Sequence, residues 1–102
     1  PPRYARRMKK VHHAKDATAL GQIPNIGPAM TADFVLLGVR TPHDLAEQDP
    51  FELYARLCRL TKTRQDPCVL DTFIAAIRFM NGNPARPWFH YTEGRKKKYP
   101  HL

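Results

Sequence analysis

The sequence predicts an all-α protein, a compact bundle of about five short helices. Three observations predict it. No segment sustains the period-two alternation of a strand. Apolar residues recur at helical spacing, most fully at Val69, Leu70, Phe73, Ile77 and Met80. Helix starts share one grammar, a capping residue followed by proline, at Thr41-Pro42, Asp49-Pro50 and Asp66-Pro67. With 102 residues, 42% of them apolar, the chain suffices for one modest core.

In residues 1–15 only Met8 and Val11 stand out as apolar points, so this stretch reads as an arm or a frayed extension. Asp16 caps a short helix over 16–23 that places Ala17, Leu20 and Ile23 on one side. The turn Ile23-Pro24-Asn25-Ile26-Gly27-Pro28 follows. Pro28 fits the first helical position, where a missing N–H costs nothing, and Gly27 supplies permissive backbone before it. A second helix over 28–37 presents Met30, Phe34 and Leu37 on one face and stops at Gly38. The next start, Thr41-Pro42-His43-Asp44, sets an acid at the third helical position. Asp49-Pro50-Phe51-Glu52 approximates a capping box and leads into Phe51, Tyr54, Leu57 and Cys58. The longest helix runs from Asp66-Pro67-Cys68 to near Asn81-Gly82. An extended link, Asn83-Pro84-Ala85-Arg86-Pro87, then delivers Trp88, Phe89 and Tyr91. These rings are expected to dock as a lid over the core, or else to offer unpaired bases a stacking platform. The expected core is Leu20, Ile23, Ile26, Phe34, Leu37, Leu45, Leu53, Leu57, Leu70, Phe73, Ile77 and Trp88.

Charge is segregated. Arg3, Arg6, Arg7, Lys9, Lys10 and Lys15 stand in residues 1–15 without an acid, and Arg95, Lys96, Lys97 and Lys98 form a second acid-free run. The rest holds seven bases against nine acids, so a slightly acidic domain carries two basic arms. The first-turn amides of Ala29 and Met30 lack intrahelical partners and make a seat for an anion.

Other classes find little support. The longest apolar run, 34–39, is too short to cross a bilayer, and no leader opens the chain, so a cytoplasmic protein without a membrane partner is expected. Cys58 and Cys68 fall in different predicted helices and should be free thiols. His12, His13, His43, His90 and His101 form no ligand spacing with them, so no metal or other cofactor is expected. No phosphate loop, nucleophile elbow or carboxylate pair suggests an enzyme. Cys68, near a helix start, is the candidate redox thiol and should react faster than Cys58.

Over residues 20–39 the chain resembles the helix-hairpin-helix motif of non-sequence-specific DNA-binding proteins, matching at Leu20, Ile23, Ile26, Gly27, Phe34, Leu37 and Gly38. Asp44-Leu45, Leu53-Tyr54-Ala55-Arg56-Leu57-Cys58, Asp66-Pro67-Cys68-Val69-Leu70-Asp71-Thr72-Phe73 and Pro87-Trp88 further resemble the bacterial pathogenicity-locus type of this motif. Some members of that family are labelled mitomycin resistance proteins. The likeness covers roughly residues 16–91 and implies a SAM-like helix-hairpin-helix domain between an arm at 1–15 and a basic tail at 92–102. It also implies that Asn25, Ile26, Gly27, Ala29 and Met30 meet a DNA backbone. The chain departs from the pattern in four places. Asn25 replaces a glycine but tolerates left-handed geometry. Thr31 replaces a small residue. Ala29 stands where relatives carry a cation, with Asp33 one turn on. A paired second hairpin at 61–65 has no glycine. The function expected is binding of a DNA or RNA backbone without base specificity, by a monomer or weak oligomer. The alternative is a protein-interaction module whose arms only solubilise.

Overall fold

The computed structural model of the chain describes residues 6–102. Five α-helices and no strand occur among them: α1 (Pro28–Leu36), α2 (Pro42–Ala46), α3 (Pro50–Thr61), α4 (Pro67–Met80) and α5 (Thr92–Lys98). Three short 3-10 turns, Ala14–Asp16, Leu20–Gln22 and Trp88–Tyr91, complete the described structure.

Four of these α-helices begin with proline, and three of those starts are capped as the sequence predicts. Thr41 Oγ1 accepts from the Asp44 N–H at 3.1 Å, Asp49 from Phe51 and Glu52, and Asp66 from Cys68 at 2.8 Å. Gly38 ends α1 with a left-handed φ of 84°. There Val39 N–H reaches the Phe34 carbonyl and Gly38 N–H the Val35 carbonyl, which satisfies two orphan acceptors. Lys62 does the same for α3 at φ 53°, a geometry that a Cβ disfavours by about 1–2 kcal/mol. Lys62→Gly is therefore expected to stabilise the fold by about 0.5–1 kcal/mol, part of the relief being offset by the freer unfolded chain. Thermal melting checks it. A rise of a few degrees is expected, and an unchanged or lower midpoint would show that Lys62 is not strained.

α4 is the central element. Leu70, Phe73, Ala76 and Ile77 are buried along it, and Phe73 packs on Phe34 of α1 with ring centroids 5.0 Å apart. Leu20, Ile23 and Ile26 close one end of the core, and Leu45, Leu53 and Leu57 another. Side chains tie the layers together: Asn81 Nδ2 donates to the Ala46 carbonyl and Arg56 Nη2 to the Leu37 carbonyl at the C-terminus of α1.

Three expectations are corrected. The helix expected over 16–23 is instead a pair of 3-10 turns. The Gln22 carboxamide oxygen accepts from the Thr18 and Ala19 amides, and Ile23 N–H bonds to Leu20. Such local bonds compete with an α-helical ladder, which Pro24 could not have continued. The basic stretch after residue 91 holds a helix, α5, anchored on α4. Finally, Trp88 is not core: it is 38% exposed and Phe89 63%. The segment docks through backbone and polar bonds instead of by burying its rings.

Candidate nucleic-acid interface

The turn before α1 gathers the residues that the sequence singles out. Asn25 takes the left-handed conformation expected of it, at φ 73°. Gly27, by contrast, has an ordinary φ of −94°, and a Cβ there would meet nothing within 4 Å. The turn therefore does not need glycine at 27, contrary to expectation; a side chain would only project into the space in front of the helix. Thr31 is accommodated by donating its hydroxyl to the Gly27 carbonyl at 2.9 Å.

The amides of Gly27, Ala29 and Met30 have no hydrogen-bond partner among the described residues. Ile26 is different. It is fully buried and its N–H bonds to the Ile23 carbonyl, so it is not a donor to a ligand. The Asn25 side chain is also engaged: its Nδ2 donates to the Arg86 carbonyl at 2.8 Å and its Oδ1 accepts from the Trp88 N–H at 3.2 Å. Asn25 is a clamp, holding the 86–88 segment against the turn.

Cations reach this place from the N-terminal stretch, which is docked and not free. Val11 N–H bonds to the Gln22 carbonyl, and Met8 packs over Gly21. Between them Lys10 donates through Nζ to the carbonyls of Gly21 and Ile26. An ammonium has three donors, so one remains for an incoming acceptor. Burial and the neighbouring Arg7 push the Lys10 pKa below its ordinary value, a strain that a bound anion would relieve. Arg6, Arg7, Lys10, Gly27 and Pro28 line a depression of about 80 Å³, far below the roughly 300 Å³ of a small-molecule pocket. Arg6 also borders a wider groove of about 470 Å³ that Arg40 lines as well. No acid lines either one among the described residues. Asp33, one turn on from Ala29, lines neither, and burial pushes its carboxyl pKa up.

The other expected arm cations are scattered. Arg3 lies outside the described residues. Lys9, Lys15, Lys97 and Lys98 are exposed, and Lys96 stands 3.9 Å from Glu93. Arg95 is not an arm cation. It is buried, with Nε 2.8 Å from Asp71 Oδ1 and Nη2 3.2 Å from Oδ2. Thr92 donates to the same carboxylate at 2.9 Å. A signal for this existed in Asp71, an acid inside the apolar stretch of α4 that required a cation from elsewhere. At Cys68, burial and then Asp66, through its hydrogen bond and charge, raise the thiol pKa, which opposes the reactivity expected of it near a helix start. Both cysteines are free and half-buried.

No described helix is long and apolar enough to cross a membrane, and no described group of three His, Cys, Asp or Glu residues could hold a metal ion. A separate groove of about 580 Å³ lies elsewhere, between α3, α4 and α5.

The class so defined is a small all-helical domain with a cation-lined turn at one helix start. The chain belongs to the pathogenicity-locus family (Cdd1), whose model matches residues 13–97. It is similar to the mitomycin resistance protein McrB of Streptomyces lavendulae, 38% identical over 84 residues that span 82% of this chain and 80% of the relative. No solved structure matches it.

Proposed function

We propose that the protein binds nucleic acid through the phosphate backbone, without reading sequence, in the manner of a helix-hairpin-helix domain. The observation that carries this reading is the gathering of Arg6, Arg7 and Lys10 beside Gly27 and Pro28, at the start of the helix whose first-turn amides, Ala29 and Met30, are open. The motif's usual cation is missing at Ala29, and here the docked N-terminal stretch supplies charge to the same place. One phosphate at the turn accepts from the amides and from Lys10, and the helix dipole favours its charge. The next phosphates follow the groove from Arg6 towards Arg40. Nothing in this arrangement presents a pattern of donors to base edges, so affinity without base specificity follows.

Binding to labelled DNA, followed by anisotropy over a range of salt, tests the proposal. Affinity for duplex should fall with a log–log slope of about −0.9 per phosphate neutralised. Deleting residues 1–15 is a poor variant, because Lys10 and Val11 are bonded into the fold. Neutralising Arg6, Arg7 and Arg40 to glutamine should instead flatten the slope by up to about 3 and leave the melting temperature unchanged. Ala29→Lys, on an exposed position, should tighten binding several-fold. No salt-sensitive binding by the full chain at low ionic strength would defeat the proposal and favour the protein-interaction alternative.

A further inference from the structure

Trp88 and Phe89 are the largest exposed aromatic side chains among the described residues. They stand edge to face, centroids 5.7 Å apart, on the 3-10 turn that follows Pro87. Exposing two such rings forgoes burial that the fold would otherwise gain, within a stretch, 81–90, that is exposed throughout, whereas Tyr91 and Thr92 just beyond it are half-buried. Their position is not accidental to the turn. The Asn25 carboxamide bonds both the Arg86 carbonyl and the Trp88 amide, so the ring pair is fixed beside residues 25–27, and Gly27 carries the first open amide. The Trp88 amide lies 3.2 Å from Asn25 Oδ1, two residues before Gly27, so the backbone that carries the rings lies close enough to the turn for one short strand to reach both. Exposed Arg86 adds a cation on the link.

We infer that the aromatic pair is a stacking platform for unpaired nucleobases, and that the protein prefers single-stranded nucleic acid over duplex. The inference rests on the backbone-binding reading and adds to it the kind of strand that is held. In a duplex both faces of each base are already stacked, so the rings have nothing to meet except at an end or a bulge. A single strand can lay a phosphate on the Gly27–Met30 amides and turn its base onto the platform. Every base has a π-face, so the preference carries no sequence.

Trp88 is the sole tryptophan, so its fluorescence reports on the platform directly. Three probes are used with the full chain: a short oligothymidylate, a blunt duplex of equal length, and inorganic polyphosphate. Oligothymidylate should quench Trp88 and bind more tightly than the duplex, whereas polyphosphate should compete for the site without quenching. Phe89→Ala, at the more exposed ring, should weaken oligothymidylate binding roughly 5- to 150-fold and leave polyphosphate affinity and the salt slope unchanged. Trp88→Ala, read by anisotropy, should do the same. Equal affinity for strand and duplex, or a Phe89→Ala variant that binds oligothymidylate as before, overturns the platform and leaves backbone binding standing. Failure of all three probes removes the backbone reading itself. Self-association of the chain in sedimentation that Phe89→Ala abolishes would assign the rings to a protein contact and also overturn the inference.

Discussion

Phe73→Ala is expected to cost about 3–5 kcal/mol of folding free energy, the range for removing an enclosed aromatic ring. Phe73 has no exposed surface, and it lies against Phe34, which is also fully buried. The ring joins α4 to α1, so its loss removes transfer free energy and leaves a cavity between helices that cannot easily collapse. Domains of this size have total stabilities of about 5–15 kcal/mol, so the variant should lose a large part of its stability. Urea unfolding followed by circular dichroism measures it, the midpoint falling while the slope holds. Phe51→Ala is the control, because Phe51 is only half-buried and should cost less. A loss below about 1 kcal/mol at Phe73 would put the ring on the surface and contradict the packing of α4.

The legible part of the fold is the part written in local chemistry. Thr41, Asp49 and Asp66 before prolines located α2, α3 and α4 because a cap and a proline act within one turn of chain. The stripe from Val69 to Met80 located the core for the same reason. Where side chains from distant residues decide the outcome, local reading failed. Leu20, Ile23 and Ile26 are buried as expected, yet the segment is held by Gln22 and by Lys10 donating to the Gly21 carbonyl, bonds that no periodicity records. Arg95 looked like one of four solvated bases, but its partner Asp71 lies 24 residues earlier.

The candidate site was legible in outline only. Pro28 and the open amides that follow it were readable from helix geometry. That Arg6, Arg7 and Lys10 would line a depression beside Gly27 and Pro28 was not, because Met8 and Val11 look like isolated apolar points without a period. Those two residues are the anchors: Met8 covers Gly21, and Val11 bonds to Gln22. Asn25 was read for its backbone alone, and its side chain proves equally important, since it positions the segment that exposes Trp88. The rings themselves were expected to close the core. The core is closed without them, and polar bonds from Thr92 and Arg95 to Asp71 hold the segment down.

That anchor gives the other large expected effect. Asp71 has no exposed surface, and Arg95 is 8% exposed. Both carboxylate oxygens are satisfied, by two bonds from Arg95 and one from Thr92. Arg95→Met keeps most of the side-chain volume but leaves a buried carboxylate with only a hydroxyl donor. Removing one member of such a pair costs about 3–5 kcal/mol, mostly as the penalty of the stranded charge. Asp71→Leu should cost a similar amount by stranding the guanidinium. The double replacement, Asp71→Leu with Arg95→Met, should recover most of the loss, because no charge is then buried unpaired and an apolar pair of similar volume packs in its place. The hydrogen bond to Asp71 holds the Arg95 pKa above its ordinary value against burial. Its contribution is thus fully present below the unfolded value and is lost only as pH rises through the higher folded one, so the cost of Arg95→Met should stay flat across neutral pH from the arginine side. Salt should change it little, since the pair is shielded from solvent. Hydrogen exchange locates the damage: protection should fall first in α5 and the 88–91 turn, which the pair holds to α4. Single variants that lose no more than the double would show that the two charges are not coupled, and α5 would then be held by its apolar contacts through Tyr99 and Leu102.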